Sequence, residues 1–94
     1  MMLIEKMLTI STEHITKHTF DLMEDDNVGV ICYPVEGYGL ICGFFIKVSD
    51  YEDYIDEIPS DLLACLEFAQ KQGCDWLRMD VDYDRVSGLP VYDW

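Results

Sequence analysis

The chain has 94 residues, half of them apolar and 13% aromatic, a length and composition that fit one folded domain spanning residues 1–94 and leave no room for a second core. Nineteen acids against six Lys and Arg give a formal net charge of −13, which repels nucleic-acid phosphates and anionic lipid headgroups and argues against direct binding to DNA, RNA or a membrane. The complement of such a surface is a basic protein face or a cation.

The first residues, MMLIEKMLTI, begin apolar but are interrupted by Glu5 and Lys6 and do not read as a signal peptide. Val28 to Val48 is apolar enough to resemble a membrane span, but Pro34, Glu36, Gly37, Gly39 and Gly43 divide it as a hairpin is divided. A cytoplasmic location is expected. The four cysteines, Cys32, Cys42, Cys65 and Cys74, lie in apolar runs without a CxxC pair and read as free thiols. Cys32 and Cys42 flank the expected turn symmetrically, so a cross-strand pair is geometrically conceivable.

In chain order, Met7 to Ile10 reads as a first strand. Ser11 or Thr12 then caps a helix expected over about Thr12 to Glu24, with Ile15, Thr19, Leu22 and Met23 on one face and Phe20 beside it. Glu24, Asp25 and Asp26 oppose the macrodipole at its end, and Asn27 can terminate it. Val28–Val35 and Leu40–Val48 form a hairpin through the turn EGYG, and their two-sided apolar character predicts a central place in the sheet. Ser49 to Ile58 is an acidic connection with room for a short helical turn. Pro59, Ser60 and Asp61 start a second helix carrying Leu62, Leu63, Leu66, Phe68 and Ala69, with Gly73 as the stop.

A strand from Asp75 to Val81 follows. Its alternation sends Leu77, Met79 and Val81 inward and Trp76, Arg78 and Asp80 outward, with Asp82 and Asp84 continuing the outward row. Gly88 and Pro90 make the last residues a turn or edge segment. The expected fold class is α+β: a single domain with a mainly antiparallel sheet, two helices on one face and the order β-α-β-β-α-β. That order matches the ferredoxin-like split βαβ arrangement, and a β-meander with two docked helices is the alternative.

Signals for chemistry are weak. His14 and His18 are one helical turn apart, half of a metal site, but the HExxH glutamate is absent and no third ligand is evident beyond Asp21. Asp80, Asp82 and Asp84 open like an EF-hand loop, yet Arg85 stands where glycine is needed and Val91 where the bidentate glutamate is needed. There is no GxSxG elbow and no phosphate-cradling glycine loop. Neither a catalytic residue nor a cofactor is expected, and the protein reads as non-enzymatic.

The acidic surface is the most suggestive feature. Residues 50–94 hold twelve acids and three bases, whereas residues 1–49 hold seven and three. Alternate carboxylates on a strand, about 6.7 Å apart, make Asp80, Asp82 and Asp84 a short phosphate-like row. Glu52, Asp53, Asp56, Glu57, Asp50 and Asp61 extend that row if the connection folds beside the strand. Trp76, Tyr83, Tyr92 and Trp94 lie near these acids in the sequence, a pairing common in protein interfaces, although a terminal PVYDW also commonly docks on its own domain.

The segments LTISTEHIT, YP before a G-Y-G turn, IPSDLLACLEFAQKQGCDWL and GLPVYDW together resemble the small bacterial family catalogued as domain of unknown function 5983, over nearly the whole chain. The resemblance implies a setting on plasmids, conjugative elements or phages near antirestriction genes, and it carries no catalytic residues. The expectation is therefore an acidic protein that mimics nucleic acid and blocks a DNA- or RNA-binding host-defence complex of the anti-restriction or anti-CRISPR type. Its candidate partner-binding residues are Asp80, Asp82, Asp84, Glu52, Asp53, Asp56, Glu57, Trp76, Tyr83 and Trp94. A regulatory or assembly module using the aromatic C-terminus is the alternative, and a small metal-dependent hydrolase the third reading.

Overall fold

A computed structural model describes residues 2–48 and 51–94 of the chain; Ser49 and Asp50, the start of the expected connection, lie outside the described residues. The elements run β1 (Met7–Ser11), a 3₁₀ turn (Thr12–His14), α1 (Lys17–Glu24), β2 (Cys32–Gly37), β3 (Leu40–Lys47), a 3₁₀ segment (Tyr51–Glu57), α2 (Ser60–Lys71) and β4 (Trp76–Asp80). The fold is α+β in one domain, with the expected β-α-β-β-α-β succession.

The sheet order is β1-β4-β3-β2, with β1 parallel to β4 and the other two pairings antiparallel. This corrects the mainly antiparallel, ferredoxin-like expectation, in which β1 would lie between β3 and β4. Here β4 takes that interior place because Leu77 and Met79 are both fully buried, and β1, whose Met7 is exposed, is left at the edge. β2, β3 and β4 are consecutive antiparallel neighbours, as in the meander alternative, to which β1 adds a parallel edge. The hairpin is accordingly central only through β3. Its β2 arm is an edge strand, a position that suits Pro34, which has no N–H for a ladder.

One sheet face carries the core. Ile10, Phe44, Ile46, Leu77 and Met79 meet Phe20 and Met23 of α1 and Leu62, Cys65, Leu66 and Ala69 of α2 in one buried cluster. The α2 residues recur at i, i+3, i+4 and i+7, the stripe one helix face presents. Phe20 packs edge-on to Phe44 with ring centroids 5.1 Å apart. Between β3 and β4 the backbones come close at Gly43, where a Cβ would stand 1.9 Å from the Met79 carbonyl oxygen. The register slips between Val35 and Glu36, leaving Cys42 as the extra residue of a bulge.

The first helix is not the continuous one expected from Thr12. Ser11 caps a single 3₁₀ turn through the Glu13 N–H, the chain extends at Ile15, and Thr16 caps α1 through the Thr19 N–H. The break is held from a distance: the buried Asp61 carboxylate accepts from the Thr16 N–H at 2.7 Å and the Thr19 hydroxyl at 2.8 Å. α1 closes with Asp26 N–H donating to Met23 O and Asn27 N–H to Leu22 O. Asp26 takes φ 55°, the left-handed cap position that Asp tolerates better than most residues. Gly73, at φ 73°, closes α2 in the same way.

Candidate functional site

The Asp80–Asp84 segment does not continue the strand. β4 ends at Asp80, whose Oδ1 accepts from the Asp82 N–H at 2.9 Å and whose carbonyl accepts from the Tyr83 N–H at 3.3 Å. This turn carries Asp82, Tyr83 and Asp84 off the sheet as exposed residues, so the evenly spaced row expected from strand alternation is broken after its first member. Arg78 donates to Asp80 at 2.9 Å and partly neutralises it. Arg85 pairs nearby with Glu13, and its guanidinium holds the Glu13 carboxyl below the usual range.

The other acid group is gathered at the opposite end of the sheet. Lys47 pairs with Trp76 at the start of β4, whereas Gly43 pairs with Asp80 at its end, a separation of about 13 Å along the strand. The 3₁₀ segment bearing Glu52, Asp53, Asp56 and Glu57 follows β3 from its Lys47 end and therefore does not lengthen the Asp80 row. It meets the acidic C-terminus of α1 instead. Asp26 and Asp53 line one cleft of about 630 Å³ together with Tyr33, Tyr51, Tyr54 and Lys47. The 27–31 loop seals this junction through Gly29, at φ +76°, where a Cβ would lie 2.8 Å from Glu57 Cβ.

Asp26 and Asp53 line this aromatic cleft, and Glu24, Asp25, Glu52, Asp56 and Glu57 are carried on the same two segments of chain. Among the described residues none of them is in an ion pair, in contrast to Asp80 and Glu13. Glu52 is steadied by the Gln70 amide at 2.8 Å, and Gln70 in turn accepts from the Tyr51 hydroxyl at 2.9 Å. The negative field reaches the core: the Cys32 thiol is pushed up to about 12 by burial and by the Asp26 carboxylate. Tyr51 is raised by burial and then by Glu52 and Glu67. Asp61 stands apart from this group, since its carboxylate is buried on Thr16 and Thr19.

Sequence reading did not single out Asp26, Tyr33, Tyr51 and Tyr54 as a cleft. The available signals were the Tyr51-x-x-Tyr54 spacing within an acidic run and the Glu24-Asp25-Asp26 triplet, which meet only because β2 and β3 bring the two loops to one end of the sheet.

The C-terminal aromatics are docked on the domain. His14, 1% exposed, uses both ring nitrogens on this segment: Nδ1 lies 2.8 Å from Pro90 O, and Nε2 accepts from the Val86 N–H at 2.9 Å. A backbone N–H can only donate, so the ring is neutral and protonated at Nδ1. Tyr92 N–H donates to Glu13 O, Trp94 Nε1–H donates to Ile15 O at 2.9 Å, and the Trp94 ring packs on Phe20. Trp94 keeps half its surface exposed. Trp76 lies on the opposite sheet face, its Nε1–H engaged by Glu5.

His14 and His18 do not share a helix face, because His14 belongs to the 3₁₀ turn and is buried while His18 is exposed on α1. Among the described residues no group of three or more His, Cys, Asp or Glu is placed to hold a metal ion. All four cysteines are free. Cys32 is opposite Ile46, and Cys42 sits in the bulge, so the conceivable cross-strand pair is not formed. No helix among the described residues is long and apolar enough to cross a membrane.

A family model described as the C-terminal domain of a family of unknown function, DUF5983, matches residues 7–94. No curated protein and no solved structure matches the chain.

Proposed function

The chain belongs to this family of unknown function, and from that premise we propose that it is a non-enzymatic binding protein whose acidic end occupies a basic surface otherwise used by DNA or RNA. The observation that carries this reading is the pair Asp26 and Asp53 in the cleft lining with five further carboxylates on the same two segments, none of them in an ion pair among the described residues. Unneutralised carboxylates at one end of a molecule of charge −13 steer a cationic partner and release counterions when they meet it. The exposed rings of Tyr33 and Tyr54 beside Asp26 and Asp53 suit an arginine or lysine side chain, which a ring face and a carboxylate stabilise together. Lys47 is the single base in the lining and stands at the sheet side of the cleft.

The anti-restriction or anti-CRISPR form of this reading rests on the same chemistry, since the basic channels of such complexes hold a phosphate backbone. Asp80, Asp82 and Asp84 have a secondary role in it, because Arg78 spends one of them and the turn disperses the others. A regulatory module acting through the C-terminal aromatics is less favoured: the tail's backbone and the Trp94 N–H are engaged by the domain itself.

The experiment is capture from a nuclease-treated cell lysate by the immobilised protein at about 50 and about 500 mM salt. The wild-type chain is compared with E52Q/D53N/D56N/E57Q and with D80N/D82N/D84N. The expected outcome is capture of a nucleic-acid-binding protein at low salt that duplex DNA or RNA displaces, that high salt removes, and that only the quadruple variant loses. Capture that survives high salt and the quadruple substitution would refute the proposal.

A further inference from the structure

The helices cover one face of the sheet, and no helix among the described residues covers the other. On that face all four strands contribute a large apolar side chain at neighbouring positions: Met7 from β1, Trp76 from β4, Phe45 from β3 and Tyr33 from β2, which together line a shallow groove of about 330 Å³. Met7 is 46% and Tyr33 56% exposed. Tyr33 and Trp76 pack on each other with centroids 6.3 Å apart, and the Arg78 guanidinium lies over the Phe45 ring. The preceding N-terminal residues Met2, Leu3 and Ile4 are each about four-fifths exposed.

Charge decides what this face fits. Below the bulge, the only acid at an outward strand position is Asp80, and it is ion-paired with Arg78. At the margin, Glu5 is engaged by the Trp76 indole. Lys47 and Arg78 also point outward. In a chain of net charge −13 the positions around Met7, Phe45 and Trp76 are where two copies can approach without opposing unneutralised carboxylates. We infer that the helix-free sheet face is a self-association surface and that two copies pair through it, isologously, with Met7, Phe45 and Trp76 at the centre. This surface shares Tyr33 and Lys47 with the acidic cleft, whereas its centre at Met7, Phe45 and Trp76 lies outside the cleft lining, and the inference does not depend on the function proposed for that cleft.

Four strands about 4.8 Å apart and about five residues long give a patch of roughly 300 Å² in projection per copy. That is less than half of the roughly 800 Å² that a standard interface buries per partner, so the pairing is a weak, transient one. Salt screens the repulsion between two acidic copies, so association should strengthen as salt rises, the opposite of the behaviour expected for a basic partner at the acidic end.

The test is sedimentation velocity of the full chain from about 10 µM to about 1 mM, at about 50 and about 500 mM salt, with the M7K and M7K/F45K variants alongside. Lysine makes the chain less acidic, so lost association cannot come from added repulsion, and M7K alone changes only an exposed side chain. The proposal expects a sedimentation coefficient that rises with concentration, more steeply at high salt, and that stays at the monomer value in both variants while their thermal melts match the wild type. A monomer at about 1 mM in high salt, or a dimer undiminished in both variants, overturns it. Quenching of tryptophan emission by a single-stranded oligonucleotide, abolished in M7K/F45K, would instead assign the face to base stacking and also overturn it.

Discussion

Replacing His14 with leucine keeps most of the volume of this buried ring while removing both of its hydrogen bonds, at Pro90 O and Val86 N–H. Each such bond is worth about 1 kcal/mol net, and leaving two backbone groups partly buried without partners costs about 1 kcal/mol more. The gain from an apolar side chain in the core offsets about 1 kcal/mol. The balance is a loss of about 2 kcal/mol, which at roughly 4–8 °C per kcal/mol for a domain of this size lowers the thermal midpoint by about 8–16 °C. The assay is a far-UV circular dichroism melt combined with amide hydrogen exchange over residues 86–94. The Tyr92 amide, bonded to Glu13 O, should lose protection first. H14Q, which can replace one of the two bonds, should fall between wild type and H14L. An H14L protein that melts within about 2 °C of wild type and exchanges its tail amides at the wild-type rate would refute the clamp.

Asp61→Ala removes the carboxylate shared by Thr16 N–H and Thr19 Oγ1. Bonds to a charged acceptor are worth about 1.5–3 kcal/mol each, and better helix propensity and hydration of Thr16 recover part of that, so a loss of about 3 kcal/mol is expected in a thermal or urea melt, with D61N losing about half as much; equal stability of D61A and wild type would contradict this role. The thiols make a pH prediction. Burial lifts Cys32 and Cys65 to about 12 from an ordinary value of 9, so both stay protonated in the folded chain while the unfolded chain ionises first. Their contribution to stability is complete below pH 9 and is lost as pH rises through the window from 9 to 12. At pH 8 a thiol reagent should modify neither residue until denaturant is added; prompt modification of Cys65 in the folded protein would contradict its burial.

Much of the local structure was legible in the residues. The hairpin is written in two β-branched runs around EGYG, α2 in its apolar stripe between Pro59 and Gly73, and the inward face of β4 in Leu77 and Met79. What escaped depends on partners far along the chain. The restart of α1 at Thr16 is set by Asp61, forty-five residues away. The place of β4 between β1 and β3 follows from which strand buries most, a comparison that no single segment contains. The D-x-D-x-D alternation suggested that Asp82 and Asp84 continue the outward row of a strand ending at Val81, but the Asp80 side chain bonds the Asp82 N–H and turns the chain there, because a short carboxylate competes with the ladder for a nearby donor. The acidic site moved because the Tyr51–Glu57 segment follows the Lys47 end of β3, away from Asp80. Asp53 of that segment shares a cleft with Asp26 just after α1, and the cleft's rings Tyr33 and Tyr54 come from separate elements.

The central claim is that the unpaired carboxylates at the cleft carry partner binding. Its most direct test is isothermal titration of an octa-arginine peptide into the wild-type chain, E52Q/D53N/D56N/E57Q and D80N/D82N/D84N at matched low salt. Wild type should bind with an affinity that falls as salt rises, the quadruple variant should lose at least about tenfold, and the triple variant should lose much less. Equal losses in the two variants would mean that net charge alone attracts the cation, and a larger loss in the triple variant would place binding at the Asp80 turn; either result contradicts the account.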